Sequence, residues 1–179
     1  MKTNSRVLWI TQTAAFIALL VILQVGTAPL GNMLITGAVV NLLLVVSVMT
    51  CGLLSGVTVS LLSPILAKLF GIGPLWSLIP FITLGNLTLC IVWHCILTNA
   101  KSKGPGTYLA ATVGAAVAKF LVLYLGIVKL AIPVLLRLPE KQALVVSGMF
   151  SIPQLITALI GGAVAAMILP VLQKSVRQK

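Results

Sequence analysis

The chain has 179 residues, of which 60% are hydrophobic and only 7% are charged. Its mean hydropathy of +1.21 exceeds what a soluble domain of this size needs for its core. The formal charge of +11 would suggest a nucleic-acid-binding protein, but most lysines and arginines stand at the ends of apolar runs, where such charges orient membrane spans. The sequence therefore predicts an all-α integral membrane bundle and no nucleic-acid partner.

Turn residues divide the apolar sequence into about six predicted transmembrane helices. The first apolar run, Val7 to Val25, has about 19 residues, which is too long for the core of a typical signal peptide, so we expect a retained span. Gly52 marks a very tight second turn, and residues 99–107 and 138–141 form polar loops. No linker is long enough to separate domains, which predicts one domain over residues 1–179. The predicted spans are residues 7–26, 33–50, 52–70, 75–98, 107–132 and 144–173.

Lysine and arginine positions predict the orientation of these spans. An even number of spans places both termini on one side, and that side has seven basic residues near span ends against four on the other. Both termini are therefore expected in the cytoplasm, with loops 27–32, 71–74 and 133–143 outside. The seven are Lys2, Arg6, Lys101, Lys103, Lys174, Arg177 and Lys179, and the four are Lys68, Lys129, Arg137 and Lys141.

Groups that catalysis or metal binding would require are scarce in this sequence. There is no Gly-x-x-x-x-Gly-Lys-Ser/Thr phosphate loop, and the only acidic residue, Glu140, lies in a predicted loop. A proton relay and carboxylate ligands within the membrane are thereby excluded. His94 follows Trp93 near a span end, which favours an interfacial anchor over a catalytic base. We predict no catalytic residue, no cofactor and no metal site.

The fifth span carries Lys119 near its middle. An ammonium at that depth costs roughly 3 kcal/mol or more, so it marks a function or a partner. Without a carboxylate nearby it must snorkel, lose its proton or meet an anion from outside the chain. We favour the third alternative, in which Lys119 contacts a ligand. Lys68 and Lys129 stand near span ends and are expected to snorkel.

Other polar residues within the spans are compatible with one outward-opening cavity. Helical spacing places the polar residues of the fourth span within about 100° of each other, and those of the sixth span on one face. Each has a structural alternative: hydroxyls can bond their own helix, amides can join helices, Trp76 can anchor at the interface, and Asn32 can cap a helix. The predicted substrate-binding residues are Lys119, Asn86, Thr83, Gln154, Trp76, Ser151 and Asn32.

About six short spans, inward termini, no ATPase motif and Ala14-x-x-x-Ala18 on the first span together resemble the substrate-binding (S) component of energy-coupling factor (ECF) transporters. Two further stretches are similar to members of that family. They are Leu30-Gly31-Asn32 through Thr36-Gly37 to Asn41, and Ile79-Pro80-Phe81-Ile82 with Gly85-Asn86. The resemblance covers nearly the whole chain at the level of architecture.

The resemblance implies capture of a vitamin or related micronutrient on the outer side of a bacterial plasma membrane. A transmembrane coupling (T) component and two cytoplasmic ATPases would energise its release, and the ligand pocket would form from the last three helices and the outer loops. The alanine motif that packs against the T component in the family corresponds here to Ala14 and Ala18, with Ala15 adjacent. The alternatives are a stand-alone passive carrier or channel and, less favoured, a membrane assembly factor or enzyme.

Overall fold

The computed structural model describes residues 5–73 and 75–177, with side chains up to residue 172. Lys2, Lys179 and Pro74, which entered the predicted orientation and turns, lie outside the described residues, as do the side chains of Lys174 and Arg177. The described residues are 89% helical and contain no strand, which confirms the predicted all-α class. The helices are α1 (Ser5–Thr27), α2 (Met33–Cys51), α3 (Leu53–Leu69), α4 (Ile79–Asn99), α5 (Pro105–Leu123), α6 (Glu140–Met149) and α7 (Ile152–Arg177).

Five helical stretches are long and apolar enough to cross a membrane, so the chain is a multi-pass membrane protein. The predicted third span corresponds to α3, an apolar helix of 17 residues that is shorter than the others. Hydrocarbon offers the backbone no hydrogen-bonding partners, and a helix meets this demand within a single segment. The five stretches are Ser5–Leu30, Met33–Cys51, Trp76–Asn99, Pro105–Leu136 and Glu140–Leu172.

The last predicted span, 144–173, is not one continuous helix. It begins earlier, at Glu140, and is interrupted between the end of α6 at Met149 and the start of α7 at Ile152. Pro153 explains the break, because proline has no N–H for an intrahelical bond and its ring clashes with the preceding turn. As the second residue of α7, it occupies a position where the missing donor has no consequence.

The fifth span extends beyond its predicted end and changes its winding. After α5 the chain continues without interruption as a π-helix over Tyr124–Leu136, so the helical stretch ends four residues later than residue 132. The wider turns begin five residues after Lys119. π-Helical turns are rare and frequently occur near functional sites.

Close helix contacts organise the centre of the bundle around α2, which packs against α1, α3, α4 and α7. A close approach of two backbones is at Gly161 of α7, where an added Cβ would lie 2.5 Å from the backbone oxygen of Ala38. Small residues allow such contact between helices in lipid. At the other end of α2, the predicted tight turn is a single residue, Gly52, with φ +89°. Its left-handed conformation is one that glycine adopts readily.

Candidate binding site

A cavity of about 450 Å³ lies at the end of the bundle where the α1–α2 and α3–α4 connections meet the α6–α7 break. Asn32 comes from the first connection, residues 71–73 from the second and Phe150 from the break. The predicted outer loop 133–143 contributes no described residue to the wall. The α6–α7 break therefore lines the cavity at a position where we had expected the outer loop 133–143.

Lys119 lies at the inner part of the cavity wall and is 3% exposed. Its Nζ donates to Oδ1 of Asn41 at 2.6 Å and to Oδ1 of Asn86 at 2.8 Å. These three residues, here named the Lys119 cluster, come from α5, α2 and α4. The partial negative charges of the two oxygens offset part of the hydration that the buried ammonium has lost. Two neutral amide oxygens thus serve as partners of this lysine, which the sequence analysis, concerned with carboxylates, did not consider.

The Lys119 cluster retains hydrogen-bonding capacity for another group. An ammonium has three N–H donors, of which two are used, and the third has no partner among the described residues. The Nδ2 of Asn86 also has no partner there. The orientation of the Asn41 amide is fixed by a further hydrogen bond, in which its Nδ2 donates to Thr157 Oγ1 of α7 at 3.3 Å. Two donors from separate side chains are thus free for an acceptor in the cavity.

A second lysine, Lys68 in the last turn of α3, also lines the cavity. It is half-buried on this wall, and the snorkelling that we predicted for it stays a prediction. No aspartate or glutamate belongs to the described wall residues, and Glu140 is exposed at the start of α6. The described part of the cavity therefore carries positive charge without a carboxylate to compensate it.

Two further polar side chains of the wall have no hydrogen-bonding partner. Gln24 of α1 is 7% exposed and Ser63 of α3 is 1% exposed, and both the Gln24 Oε1 and the Ser63 Oγ are buried without a partner. Sequence reasoning missed both residues and gave Asn41 no role in the site. The signal for Gln24 was an amide that follows ten consecutive apolar residues, 14–23.

Four of the seven predicted binding residues line the cavity: Lys119, Asn86, Gln154 and Asn32. The Nε2 of Gln154 donates to the backbone oxygen of Met149 at 3.2 Å, which ties α7 to the end of α6. Asn32 is also the N-cap of α2, because its Oδ1 accepts from the backbone N–H of Leu34 at 2.9 Å. Its capping role, which we left as an alternative, is therefore confirmed, and it coexists with a place on the wall.

The other three predicted residues are not among the described residues of the wall. Trp76 is 54% exposed and belongs to a short 3-10 turn that precedes α4. Thr83 is buried outside the cavity. Ser151 lies in the α6–α7 break and donates to the backbone oxygen of Ser147 at 2.6 Å, as in the structural alternative. The predicted face assumed uninterrupted α-helices, and this assumption fails at both Trp76 and Ser151.

The alanines expected at a partner surface, Ala14, Ala15 and Ala18, are all exposed on α1. The side chains that α1 buries are Thr13, Leu20 and Gln24. The rest of the described chain therefore leaves the alanine face uncovered.

Trp93 and His94 lie in the last two turns of α4, where we predicted an interfacial anchor at His94. Trp93 is fully buried in the main core, and its Nε1 has no partner. Its neighbour His94 is half-buried, with Nδ1 unpartnered. A tryptophan at the membrane interface keeps its indole N–H near water, so the buried Trp93 does not have this role. The anchor predicted at His94 stays a prediction.

Comparison of the chain with protein-family models, curated proteins and solved structures gives no match. A functional assignment therefore depends on the chemistry of the cavity.

Proposed function

We propose that this chain is the substrate-capture subunit, or S component, of an ECF-type importer in a bacterial plasma membrane. The ligand is a small water-soluble nutrient, such as a vitamin, with an anionic group that contacts Lys119. One observation carries the proposal: a buried ammonium faces a cavity of about 450 Å³ whose described wall contains no carboxylate. Small-molecule sites typically have volumes of about 300–1,000 Å³.

The free donors of the Lys119 cluster favour a carboxylate or another oxyanion. A carboxylate can accept one hydrogen bond from the remaining N–H of Lys119 and a second from Nδ2 of Asn86. Charge attraction is stronger in this low-dielectric environment than in water. A neutral ligand would leave the ammonium without a counter-charge, whereas an anion supplies what the described wall lacks.

Partner chains are proposed because the sequence contains no phosphate-binding loop with which to drive uptake. A T component would contact the exposed face formed by Ala14, Ala15 and Ala18. Small side chains let two helix backbones approach closely, which is the main source of association in lipid. Two cytoplasmic ATPases would complete the importer.

Ligand capture is tested on the gently purified chain by native mass spectrometry, which should detect a co-purified small anion. The affinity of that metabolite is then measured for wild type, Lys119→Met and Lys129→Met. A hydrogen bond to a charged group contributes about 1.5–3 kcal/mol, so Lys119→Met should weaken binding roughly 10- to 150-fold. Lys129 is a matched control, since its Nζ lies 5.5 Å from the centre of the Tyr124 ring and it does not line the cavity. Unchanged affinity in Lys119→Met would refute the proposal.

The partner surface is tested separately with Ala14→Trp and Ala18→Trp. Either bulky side chain should prevent co-purification with a T component while ligand affinity stays at the wild-type value, because neither alanine lines the cavity. Intact assembly in both variants would reject this surface. Ligand transport by the purified chain alone in liposomes would instead identify a stand-alone carrier.

A further inference from the structure

The unpartnered groups of Gln24 and Ser63 need an explanation beyond the fold. A buried polar atom without a hydrogen bond costs about 1–3 kcal/mol, and folded proteins contain few of them. Both residues line one cavity, and both side chains are more than nine-tenths buried. Two such groups on one cavity wall indicate that something entering the cavity provides the missing partners.

The register of α1 and α3 places the two groups at similar depth. Thr13 Oγ1 of α1 donates to Ser55 Oγ of α3 at 2.9 Å, and the two helices run in the same direction because one helix separates them in sequence. At 1.5 Å per residue, Gln24 lies about 16 Å along α1 from this bond and Ser63 about 12 Å along α3. At 100° per residue, Gln24 lies on nearly the same face of α1 as Thr13.

Gln24 and Ser63 are distinct from the Lys119 cluster, which α2, α4 and α5 provide. We infer that Gln24 and Ser63 form a second, uncharged subsite for a neutral N–H or O–H donor group of the same ligand. This inference rests on the proposed function. The ligand class then becomes a carboxylate that carries an amide, ureide or hydroxyl group away from its acidic end.

The chemistry of the side chains sets this choice of group. The Oε1 of Gln24 can only accept and therefore needs a donor on the ligand, whereas the Gln24 Nε2 can donate and the Ser63 hydroxyl can do both. An ammonium group could also donate, but Lys68 and Lys119 line the same cavity and would repel it. A neutral donor satisfies both subsites without like-charge repulsion.

Matched probe pairs test the second subsite on the purified full chain. Each pair consists of a straight-chain alkanoate and the ω-ureido acid of the same chain length, in a series of increasing length. Calorimetry should show that at least one ureido acid binds wild type about 10-fold or more tightly than its alkanoate. Gln24→Leu and Ser63→Ala should each abolish most of this preference, measured as the ratio of the two affinities within the same variant.

The melting temperature of the ligand-free protein distinguishes a binding role from a structural one. Neither side chain makes a hydrogen bond in the described protein, so neither substitution should lower it. A lower melting temperature with an intact ureido preference would overturn the inference. Ser63→Ala removes a single oxygen, and an unchanged preference in this variant alone is also sufficient to reject the subsite.

The same data separate the two proposals. If Lys119→Met abolishes binding of both probes but wild type binds the members of every pair equally, only the second subsite is rejected. If wild type binds neither probe class, or Lys119→Met leaves both affinities unchanged, the proposed function fails as well.

Discussion

The contact between α2 and α7 can be tested by adding one methyl group, with Gly161→Ala. The new Cβ would lie 2.5 Å from the Ala38 backbone oxygen, 2.8 Å from the Leu42 backbone nitrogen and 2.7 Å from the Asn41 Cβ. Ordinary contact begins at about 3.4 Å, so the overlap with the oxygen is about 0.9 Å. Because two of these atoms are backbone atoms within α2, no side-chain rotation relieves the overlap, and the helices must separate.

The expected cost follows from two opposing effects. Inserting a methyl group into a well-packed contact costs about 1–3 kcal/mol, and the backbone contacts place this site at the upper end. Replacing glycine by alanine within a helix stabilises the helix by about 1 kcal/mol. The net loss is about 2 kcal/mol, which lowers the melting temperature by roughly 4–8 °C for a chain of this length.

Thermal unfolding in detergent, followed by circular dichroism, measures this effect. Gly148→Ala is the matched control, since Gly148 is also helical and its added Cβ meets nothing within 4 Å. We expect this control to be as stable as wild type or more stable. The displaced Asn41 should also move away from Lys119, which would reduce the affinity for an anionic ligand. Wild-type stability in Gly161→Ala, or an equal loss in Gly148→Ala, would refute the close-contact explanation.

Three further predictions concern hydrogen bonds that join or begin helices. Thr13→Val leaves the buried Ser55 hydroxyl without its partner and should lower the free energy of unfolding by about 1–3 kcal/mol. The double variant Thr13→Val/Ser55→Ala should recover much of this loss, because it also removes the unpaired hydroxyl. Additive losses in a thermal-unfolding double-mutant cycle would contradict a direct bond. Asn32→Ala removes the cap of α2 and should cost about 1 kcal/mol, whereas Asn32→Ser should retain most of the stability. Equal melting temperatures for the two variants would show that the cap contributes nothing. Asn41→Leu removes an acceptor from Lys119 and should destabilise the ligand-free protein by about 1.5–3 kcal/mol. An unfolding midpoint equal to that of wild type would mean that water replaces the amide at no cost.

The fold class was predictable because it depends on local properties of the sequence. In lipid, the backbone N–H and C=O groups of a long apolar run must form hydrogen bonds within that run. Each run therefore forms a helix whatever elements surround it. The single-residue turn at Gly52 was equally local, since glycine readily adopts a positive φ. The break before Pro153 interrupts a span that we predicted as one helix, because the sequence does not show whether neighbouring elements can satisfy the groups that proline frees.

The candidate site was predictable at residues whose burial in the membrane costs much free energy in any surroundings. A lysine in the middle of a span is such a case, and Lys119 does lie on the cavity wall. The place of Asn41 depends on how the bundle brings α2 within reach of the Lys119 side chain, which is a tertiary property. Gln24 and Ser63 could not be identified by type alone, because their unpartnered state exists only after packing. Trp76 and Ser151 were misplaced because a helical wheel fails outside regular α-helix.

The two proposed surfaces of α1 are connected by the stiffness of the helix itself. Ala14 and Ala18 are exposed on one side of α1, and Gln24 is buried at the cavity within the same 23 residues. No proline interrupts α1, and its only glycine, Gly26, follows Gln24, so a displacement of the alanine face must carry Gln24 with it. In the proposed importer, a T component that pulled α1 would separate Gln24 from Ser63 without touching the Lys119 cluster. The neutral end of the ligand would then lose its contacts first, while Asn41 and Asn86 continue to accept from Lys119. Because those two amides remain in place, the Lys119 ammonium keeps two hydrogen-bond acceptors when the carboxylate leaves.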